Sequence, residues 1–185
     1  MYSHPVAIRL ASIEDILTLQ AIEISAASLF RATAYPELAA GPPISRKAHE
    51  AHFAKKHPVF VAEVTADEAG SLAECCSIMA GFALVAPLGK GLHLHELSVH
   101  ADHQHRGIGR SLLRYILAFA RQKAFHNVTL TTYSDIAWNA AFYRSEGFSI
   151  LQSLNDNPAL ETILQKEIAA GAKAQTRCAM RHDLA

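Results

Sequence analysis

Hydrophobic and polar positions follow one another in short segments that predict a mixed α/β protein. Apolar residues with strand character occupy seven segments, namely residues 6–10, 59–64, 78–85, 92–99, 128–132, 148–154 and 177–181. Apolar residues at helical spacing, and favoured helix starts, predict helices over residues 12–30, 45–56, 139–146 and 158–170. A further helix is predicted to begin at a glycine-containing turn after residue 99 and to carry an apolar stripe of Leu112, Leu113, Ile116, Phe119 and Ala120. A β-meander followed by crossover helices predicts a mixed sheet covered on both faces.

The first two helices enclose a segment of a different kind. In the helix over residues 12–30, Ser12 and Asp15 indicate the start, and an apolar face is predicted from Ile13, Ile16, Leu17 and Ile24. Residues 31–44 contain three prolines and a glycine, which predicts an irregular excursion of the kind that often shapes a binding site. Three residues there are candidates to face such a site, and the alternative for each is a surface position: Arg31, Tyr35 and Glu37.

Length and charge narrow the class of protein. A chain of 185 residues with 50% hydrophobic content suits one domain, predicted to span residues 1–185 with its core over 6–154 and an added helix and strand over 155–185. Seventeen basic and seventeen acidic side chains give no net field, which argues against a nucleic-acid or membrane-surface partner. The lack of a long apolar run or a secretion signal, and an odd number of cysteines, favour a cytoplasmic location.

The most informative motif lies between the strand over residues 92–99 and the helix that follows it. The pattern Gln104-x-x-Gly107-x-Gly109 places two glycines in a polar turn just before an amphipathic helix. Glycine permits a tight turn, so that successive backbone amides can point at an anion near the positive end of the helix. The spacing matches neither the dinucleotide nor the P-loop pattern, and a pyrophosphate is the expected ligand.

A second motif follows at residues 139–148, with Asn139, Tyr143, Gly147 and Phe148 in order. Together the two motifs resemble the GNAT superfamily of acyl-CoA-dependent N-acetyltransferases, over roughly residues 6–154. The resemblance implies a GNAT-like fold, with a mostly antiparallel twisted sheet of about seven strands and helices on both faces. It also implies acetyl-CoA as cosubstrate and acetyl transfer to a primary amine of a small molecule, peptide or protein by direct attack in a ternary complex.

The resemblance implies a set of cofactor contacts. The backbone amides of the turn would hold the pyrophosphate, the end of the strand would offer main-chain groups to the pantetheine, and Asn139 would cap a helix and bind the same arm. The expected cofactor-binding residues are Leu97, Ser98, Val99, Gln104, His105, Arg106, Gly107, Ile108, Gly109, Arg110, Asn139 and Tyr143.

Acyl transfer to an amine also needs a proton acceptor and a proton donor. An alkylammonium with a pKa of about 10 must lose a proton before it attacks, at a cost of roughly 4 kcal/mol at neutral pH. Glu96, in the strand leading to the turn, is the expected general base, with His93 and His95 as rivals on the opposite face of an ideal strand. Tyr143 is the expected acid that protonates the departing thiolate, and the alternative role for its ring is packing.

Other readings stay open. A non-catalytic acyl-CoA sensor would keep the turn and need neither Glu96 nor Tyr143. The histidines clustered over residues 93–105 lack zinc-motif spacing, so no metal is expected. Cys75 and Cys76 lie away from both motifs and offer no nucleophile with a neighbouring base. The acceptor's identity is not determined, and the C-terminal helix and strand could build a homodimer contact.

Overall fold

The computed structural model describes residues 6–65 and 77–184, and Cys75 and Cys76 lie outside these residues. Its strands are β1 (Ala7–Leu10), β2 (Val59–Thr65), β3 (Ser77–Leu88), β4 (Gly91–Val99), β5 (Asn127–Tyr133), β6 (Ser149–Ile150) and β7 (Arg177–Asp183). Its helices are α1 (Ile16–Ala27), α2 (Arg46–Ala54), α3 (Ile108–Gln122), α4 (Ala140–Ser145) and α5 (Pro158–Ala169). Short 3₁₀ segments cover Ile13–Asp15, Ser28–Ala32, Pro36–Ala40 and Ala101–His103.

The strands form one seven-stranded sheet in the order β1-β2-β3-β4-β5-β7-β6. The pairs β1 with β2, β2 with β3, β5 with β7 and β6 with β7 are antiparallel. β4 and β5 are parallel, as expected for strands joined through a crossover helix. The predicted fold class, a mixed α/β fold with a mostly antiparallel sheet of about seven strands, is therefore confirmed.

By the density of its contacts the chain divides into two compact units. The first comprises Met1–Leu84 and Glu96–Tyr115, and the second comprises Val85–His95 and Ile116–Ala185. The first has a core of Leu19, Ile22, Val59, Val61, Phe82 and Leu84. The second buries apolar side chains that include Leu92, Leu94, Val128, Leu130, Phe148, Leu160 and Met180. The single domain over residues 1–185 stays a prediction.

Local sequence accounts for several helix starts. The Ser45 hydroxyl accepts a hydrogen bond from the Ala48 amide at 3.2 Å and begins α2. The Asn157 side chain accepts from the Leu160 amide at 3.2 Å, and Pro158 occupies the first position of α5. At Ser12 the backbone amide donates to the Asp15 carboxylate at 2.8 Å, as the capping pattern predicts.

The predicted apolar face of α1 is wrong. Ile16, Leu19 and Ile22 are buried, whereas Leu17 and Ile24 are 66% and 56% exposed. Apolar side chains occur on every side of the helix, among a few polar ones, so the sequence period could not select the buried face. Packing against β2 and β3 selected it instead.

Two further boundaries differ from the sequence prediction. The strand predicted over residues 148–154 is only Ser149–Ile150, because the chain leaves the sheet after pairing with two residues of β7. The excursion over residues 31–44 is not wholly irregular, since Pro36–Ala40 forms a 3₁₀ helix with proline at its first turn.

Candidate active site

The glycine motif forms a turn at the N-terminus of α3, as predicted. β4 ends at Val99, a 3₁₀ turn covers Ala101–His103, and α3 begins at Ile108. Gly107 has φ +82°, a conformation that glycine adopts without strain, and a Cβ there would meet nothing within 4 Å. The main chain at Gly107 therefore faces open space immediately before the helix begins.

The backbone amides of this turn have no hydrogen-bond acceptor among the described residues. Within residues 6–65 and 77–184, the amides from His105 to Gly109 donate to no other described residue. His105, Arg106 and Gly107 are exposed and Gly109 is half-buried. The Ser111 amide, one turn further, donates to the Gly107 carbonyl at 2.9 Å and continues the helix. Consecutive amides without an acceptor among the described residues, at the start of a 15-residue helix, are the kind of group that can stabilise an anion.

Gln104 differs from the expectation that its amide joins this set. Its backbone amide donates to the Ala101 carbonyl at 3.3 Å, and its side-chain amide donates to the Val99 carbonyl at 3.1 Å. The amides open to a ligand therefore begin at His105. Gln104 instead ties the end of β4 to the turn, which explains the position in structural terms.

Glu96 lies near the end of β4 in the first unit, half-buried. The Ser98 hydroxyl donates to Oε1 of Glu96 at 2.7 Å, and Ser98 itself is buried at 6% exposure. Leu97 and Val99, on either side of Ser98, are half-buried. A short hydrogen bond from a buried hydroxyl holds the carboxylate in one orientation, as a general base requires.

Glu23 on α1 is a candidate that sequence reasoning missed. Its carboxylate accepts from the Ile44 amide at 3.1 and 3.0 Å. Burial, and next the negative charge of Glu96, raise the pKa of Glu23 to about 7. The available signal was that Glu23 is the single charged residue of the helix Ile16–Ala27, whose other residues are mostly apolar.

The rival bases His93 and His95 belong to the second unit. His93 is 1% exposed, and its Nδ1 lies 3.0 Å from the Thr129 hydroxyl. Burial, followed by the charges of His95 and Arg177, lowers the pKa of His93 to about 3. His95 is exposed, and its ring centroid lies 4.6 Å from that of His93. The burial and bonding of His93 give its ring a structural role between β4 and β5.

Asn139 and Tyr143 also lie in the second unit, at the two ends of one turn of α4. The Tyr143 amide donates to the Asn139 carbonyl at 3.3 Å. Asn139 occupies the N-cap position, but its side chain makes no capping hydrogen bond. The predicted side-chain cap is therefore wrong, because φ and ψ at Asn139 are both −84° and not the extended values typical of a cap.

The ring of Tyr143 is half-buried between two aromatic neighbours. Its centroid lies 5.1 Å from that of Phe142 and 5.8 Å from that of Phe148. Both contacts are edge-to-face, a favourable arrangement for aromatic pairs. The Tyr143 ring therefore packs as the alternative prediction from the sequence expected, and these two contacts hold the ring in place.

Gly147 in the second motif is explained by packing. Its φ is +88°, and a Cβ there would lie 2.9 Å from the His182 ring. The His182 ring also lies against Phe148, with centroids 5.3 Å apart. A side chain at residue 147 would displace this β7 residue, so the Gly-Phe pair supports the fold of the second unit.

The excursion before α2 contributes less to an open site than its sequence suggests. Tyr35 is buried at 2% exposure, whereas Arg31 and Glu37 are exposed.

Cys178 carries a free thiol, and burial raises its pKa. Among residues 6–65 and 77–184, no cluster of three or more His, Cys, Asp or Glu side chains could hold a metal ion. No described helix has the length and apolar character needed to cross a membrane.

Comparison with known proteins identifies the class. Residues 55–150 match the family model of the acetyltransferase (GNAT) domain. This match covers both sequence motifs and the segment from the end of α2 to β6. The chain belongs to the GNAT family, and the sequence prediction of an acyltransferase of this family is confirmed.

The individual relatives are distant or partial. A rat protein, N-acetyltransferase family 8 member 3, is 38% identical over 84 residues, which are 42% of this chain and 36% of the rat protein. The PaiA N-acetyltransferase of Thermoplasma acidophilum in complex with coenzyme A superposes with a TM-score of 0.67, 15% identity and coverage of 97% and 99% of the two chains. The Escherichia coli ribosomal-protein-S18-alanine N-acetyltransferase superposes with a TM-score of 0.64 and 18% identity, and the match covers 98% of this chain and 95% of that protein. At these identities the superpositions establish the fold.

Proposed function

We propose that this chain transfers the acetyl group of acetyl-CoA to a primary amine of a small molecule, peptide or protein by direct attack in a ternary complex. The observation that carries the proposal is the run of backbone amides from His105 to Gly109, at the start of α3, that have no hydrogen-bond acceptor within residues 6–65 and 77–184. Family membership and the coenzyme A complex of the Thermoplasma acidophilum protein support it.

The residues of the turn fit a pyrophosphate. Five amides in sequence, an open face at Gly107 and the positive end of α3 together favour two adjacent phosphate groups. The guanidinium groups of Arg106 and Arg110 are exposed on the same turn and would add charge-assisted contacts. Leu97, Ser98 and Val99 would offer main-chain groups to the pantetheine arm. Asn139 would contact the same arm.

When bound, acetyl-CoA supplies the activated acetyl group as a thioester. Glu96 would accept the proton that the acceptor ammonium must lose, and the Ser98 hydroxyl would hold the carboxylate in place for that transfer. Tyr143 would donate the phenolic proton to the departing sulfur. The net exchange forms an N–C bond and breaks a C–S bond. The nitrogen loses two protons: the first would pass through Glu96 to solvent, and the second, lost after the attack, would replace through solvent the proton that Tyr143 gives to the sulfur.

The test combines turnover and binding. Purified protein is mixed with acetyl-CoA and a panel of primary amines, and free thiol is titrated over time. Wild type should release thiol only with an accepted amine, and Glu96→Gln should lower kcat at least tenfold and remove the lower pKa of the rate profile. Glu63→Gln, a β2 carboxylate bonded to Arg9 at 2.8 Å, is the control variant. Saturable acetyl-CoA binding without transfer to any amine would instead favour a sensor.

The cytoplasmic location and a homodimer remain predictions from the sequence. The same holds for the general base and the general acid, which the proposed variants test. Two proteins of similar fold are named for acceptors or products of different kinds, namely the Escherichia coli ribosomal-protein-S18-alanine N-acetyltransferase and the Neisseria gonorrhoeae N-acetylglutamate synthase. Both kinds therefore belong in the acceptor panel.

A further inference from the structure

Helix α1 presents an apolar stripe to solvent on the side that does not pack against the sheet. Leu17 and Ile24 are 66% and 56% exposed, and Ala21 between them is also exposed. An α-helix has 3.6 residues per turn, so these three positions project within about 60° of one another. They therefore form one continuous surface and are not apolar residues scattered singly.

The chain before α1 extends this surface. Ile13 lies four residues before Leu17 and is 46% exposed, and Leu10, the last residue of β1, is 61% exposed. We call Leu10, Ile13, Leu17, Ala21 and Ile24 the outer α1 face, and all of these residues belong to the first unit. Apolar side chains in this state gain free energy when a second surface removes them from water.

The size of the outer α1 face approaches what one protomer of a stable dimer needs. Its side chains leave apolar surface on the order of 400 Å² in contact with solvent, within the range of the largest apolar patch on a typical monomer. Each partner of a standard interface buries about 800 Å², of which about 60% is apolar. The outer α1 face therefore supplies most of the apolar area that such an interface requires from one side.

Opposite charges lie at the two ends of this face. Glu14 is exposed at the start of the helical segment, and Arg31 is exposed beyond its C-terminal end. Within residues 6–65 and 77–184, neither side chain forms an ion pair. The one charged residue of α1, Glu23, projects away from the stripe and accepts from the Ile44 amide. An apolar stripe with an acidic end and a basic end is complementary to a second copy related by a two-fold axis.

The charges also favour one direction of pairing. In an antiparallel pair that places Leu17 against Ile24 of the second copy, each Glu14 lies about one helical turn from the other copy's Arg31. A parallel pair would instead bring like charges together at both ends. The small side chain of Ala21, next to the two-fold axis, permits a close approach of the two helices.

The composition of the segment argues against a lipid surface as the occupant. Residues 10–30 contain no lysine, arginine or histidine. Helices that lie on a membrane carry lysine and arginine along the polar side of their apolar face. A second copy of this chain, by contrast, matches both the apolar area and the charges at the two ends.

We propose that the outer α1 face is the interface through which two copies of this chain form a two-fold dimer with antiparallel α1 helices. Burial of the apolar stripe stabilises the dimer, and the Glu14 and Arg31 side chains determine the direction of the two helices. This surface is different from the C-terminal helix and strand, where the sequence predicts a homodimer contact. The dimer is independent of the proposed acetyl transfer.

The first test measures association of the full chain by sedimentation equilibrium. Wild type should show a monomer–dimer equilibrium with a Kd on the order of 10 μM or below. Leu17→Gln/Ile24→Gln keeps good helix-forming residues and removes apolar surface, so it should raise the Kd at least thirtyfold. The matched control Ile78→Gln changes a β3 side chain that is 41% exposed in the same unit and outside this face. It should leave the Kd within twofold, and unchanged circular dichroism spectra show that the variants are folded.

A second test exchanges the charges at the ends. Glu14→Arg and Arg31→Glu should each raise the Kd about fivefold, because each substitution places like charges together twice in a two-fold dimer. The double variant Glu14→Arg/Arg31→Glu restores opposite charges and should return the Kd to within twofold of wild type. A partner other than a second copy of the same variant would give no such recovery.

A third test determines the direction of the helices. In protein with Cys75, Cys76 and Cys178 replaced by alanine, Ala21→Cys should form a covalent dimer on oxidation with copper phenanthroline, because residue 21 lies beside the two-fold axis. Glu14→Cys should stay uncrosslinked, because antiparallel helices separate the two copies of residue 14 by about 20 Å.

Three results would overturn the proposal. The first is a monomer at all concentrations up to 100 μM, where an interface of about 800 Å² per partner should be occupied. The second is a dimer whose Kd is unchanged in Leu17→Gln/Ile24→Gln, which would place the contact elsewhere, for example on α5 and β7. The third is equal cross-linking of Ala21→Cys and Glu14→Cys, which would contradict the antiparallel arrangement.

Discussion

The Ser98 hydroxyl donates to Oε1 of Glu96 across two residues of the same strand, at 2.7 Å. Two residues apart on a strand, side chains lie on the same face, so β4 itself brings these groups together. Ser98 is buried whereas Glu96 is half-buried. The pair therefore places an oriented carboxylate at the edge of the buried region, a few residues before the glycine turn that precedes α3.

Removal of the Ser98 hydroxyl should weaken catalysis more than folding. Ser98→Ala deletes one hydrogen bond to a charged acceptor, for which a loss of about tenfold in kcat is expected. The circular dichroism spectrum should be unchanged. Steady-state kinetics over pH 6 to 9 checks the prediction. Wild-type kcat in Ser98→Ala would show that the orientation of Glu96 does not depend on this hydroxyl.

Substitution at Gly107 should weaken coenzyme A binding. An alanine at φ +82° costs about 1 kcal/mol and favours a backbone conformation that turns the neighbouring amides away. We expect Gly107→Ala to raise the Kd for coenzyme A at least fivefold in isothermal titration calorimetry. Gly89→Ala is the matched control, because Gly89 has φ +60°, also has no atom within 4 Å of a Cβ, and lies in the turn between β3 and β4. Equal Kd values for the two variants would contradict the proposal that the turn before α3 binds the pyrophosphate of coenzyme A.

The hydroxyl of Tyr143 should be separable from its ring. Tyr143→Phe keeps the edge-to-face contacts with Phe142 and Phe148, so Tm should change by no more than a few degrees. If the phenol protonates the departing sulfur, kcat should fall about 100-fold, and a more acidic thiol leaving group should restore part of the rate. Tyr143→Leu, which also removes the ring, should lower Tm. A wild-type kcat in Tyr143→Phe would exclude the phenol as the acid.

Acidification should destabilise the protein through His93. The folded-state pKa of about 3 lies below the ordinary value of 6.5, so the unfolded chain binds a proton between these values that the folded chain does not. Stability contributed by neutral His93 is therefore complete above pH 6.5 and is lost as pH falls toward 3. At pH 4 the loss is on the order of 3 kcal/mol.

Urea unfolding at several values between pH 7 and pH 4.5 measures this dependence. His93→Asn should reduce the slope of unfolding free energy against pH by about one proton. Replacement of the exposed neighbour His95 by Asn removes one of the charges that lower the pKa of His93, and it should reduce the slope by less than His93→Asn does. Identical slopes for wild type and His93→Asn would show that His93 is not held neutral by the fold.

The sequence predicted the features that depend on neighbouring residues. Strand and helix order follow from local periodicity, and the caps at Ser45 and Asn157 follow from side chains that bond three residues ahead. The turn at Gly107 was predictable because its conformation is a local property of glycine. The end of strand β6 was not, because pairing with β7 determines where it leaves the sheet.

The Glu23 carboxylate accepts from the Ile44 amide, and burial, followed by the negative charge of Glu96, raises its pKa. These three residues lie in segments that are distant in the chain, so only the tertiary structure shows that the Glu23 side chain is half-buried. The buried face of α1 was decided in the same way, by packing against β2 and β3. By itself the sequence determined the order of the elements, the glycine turn before α3 and the family resemblance, because each of these depends on a local pattern of residues. The tertiary structure decided which side chains are buried together, because burial depends on contacts between residues far apart in sequence.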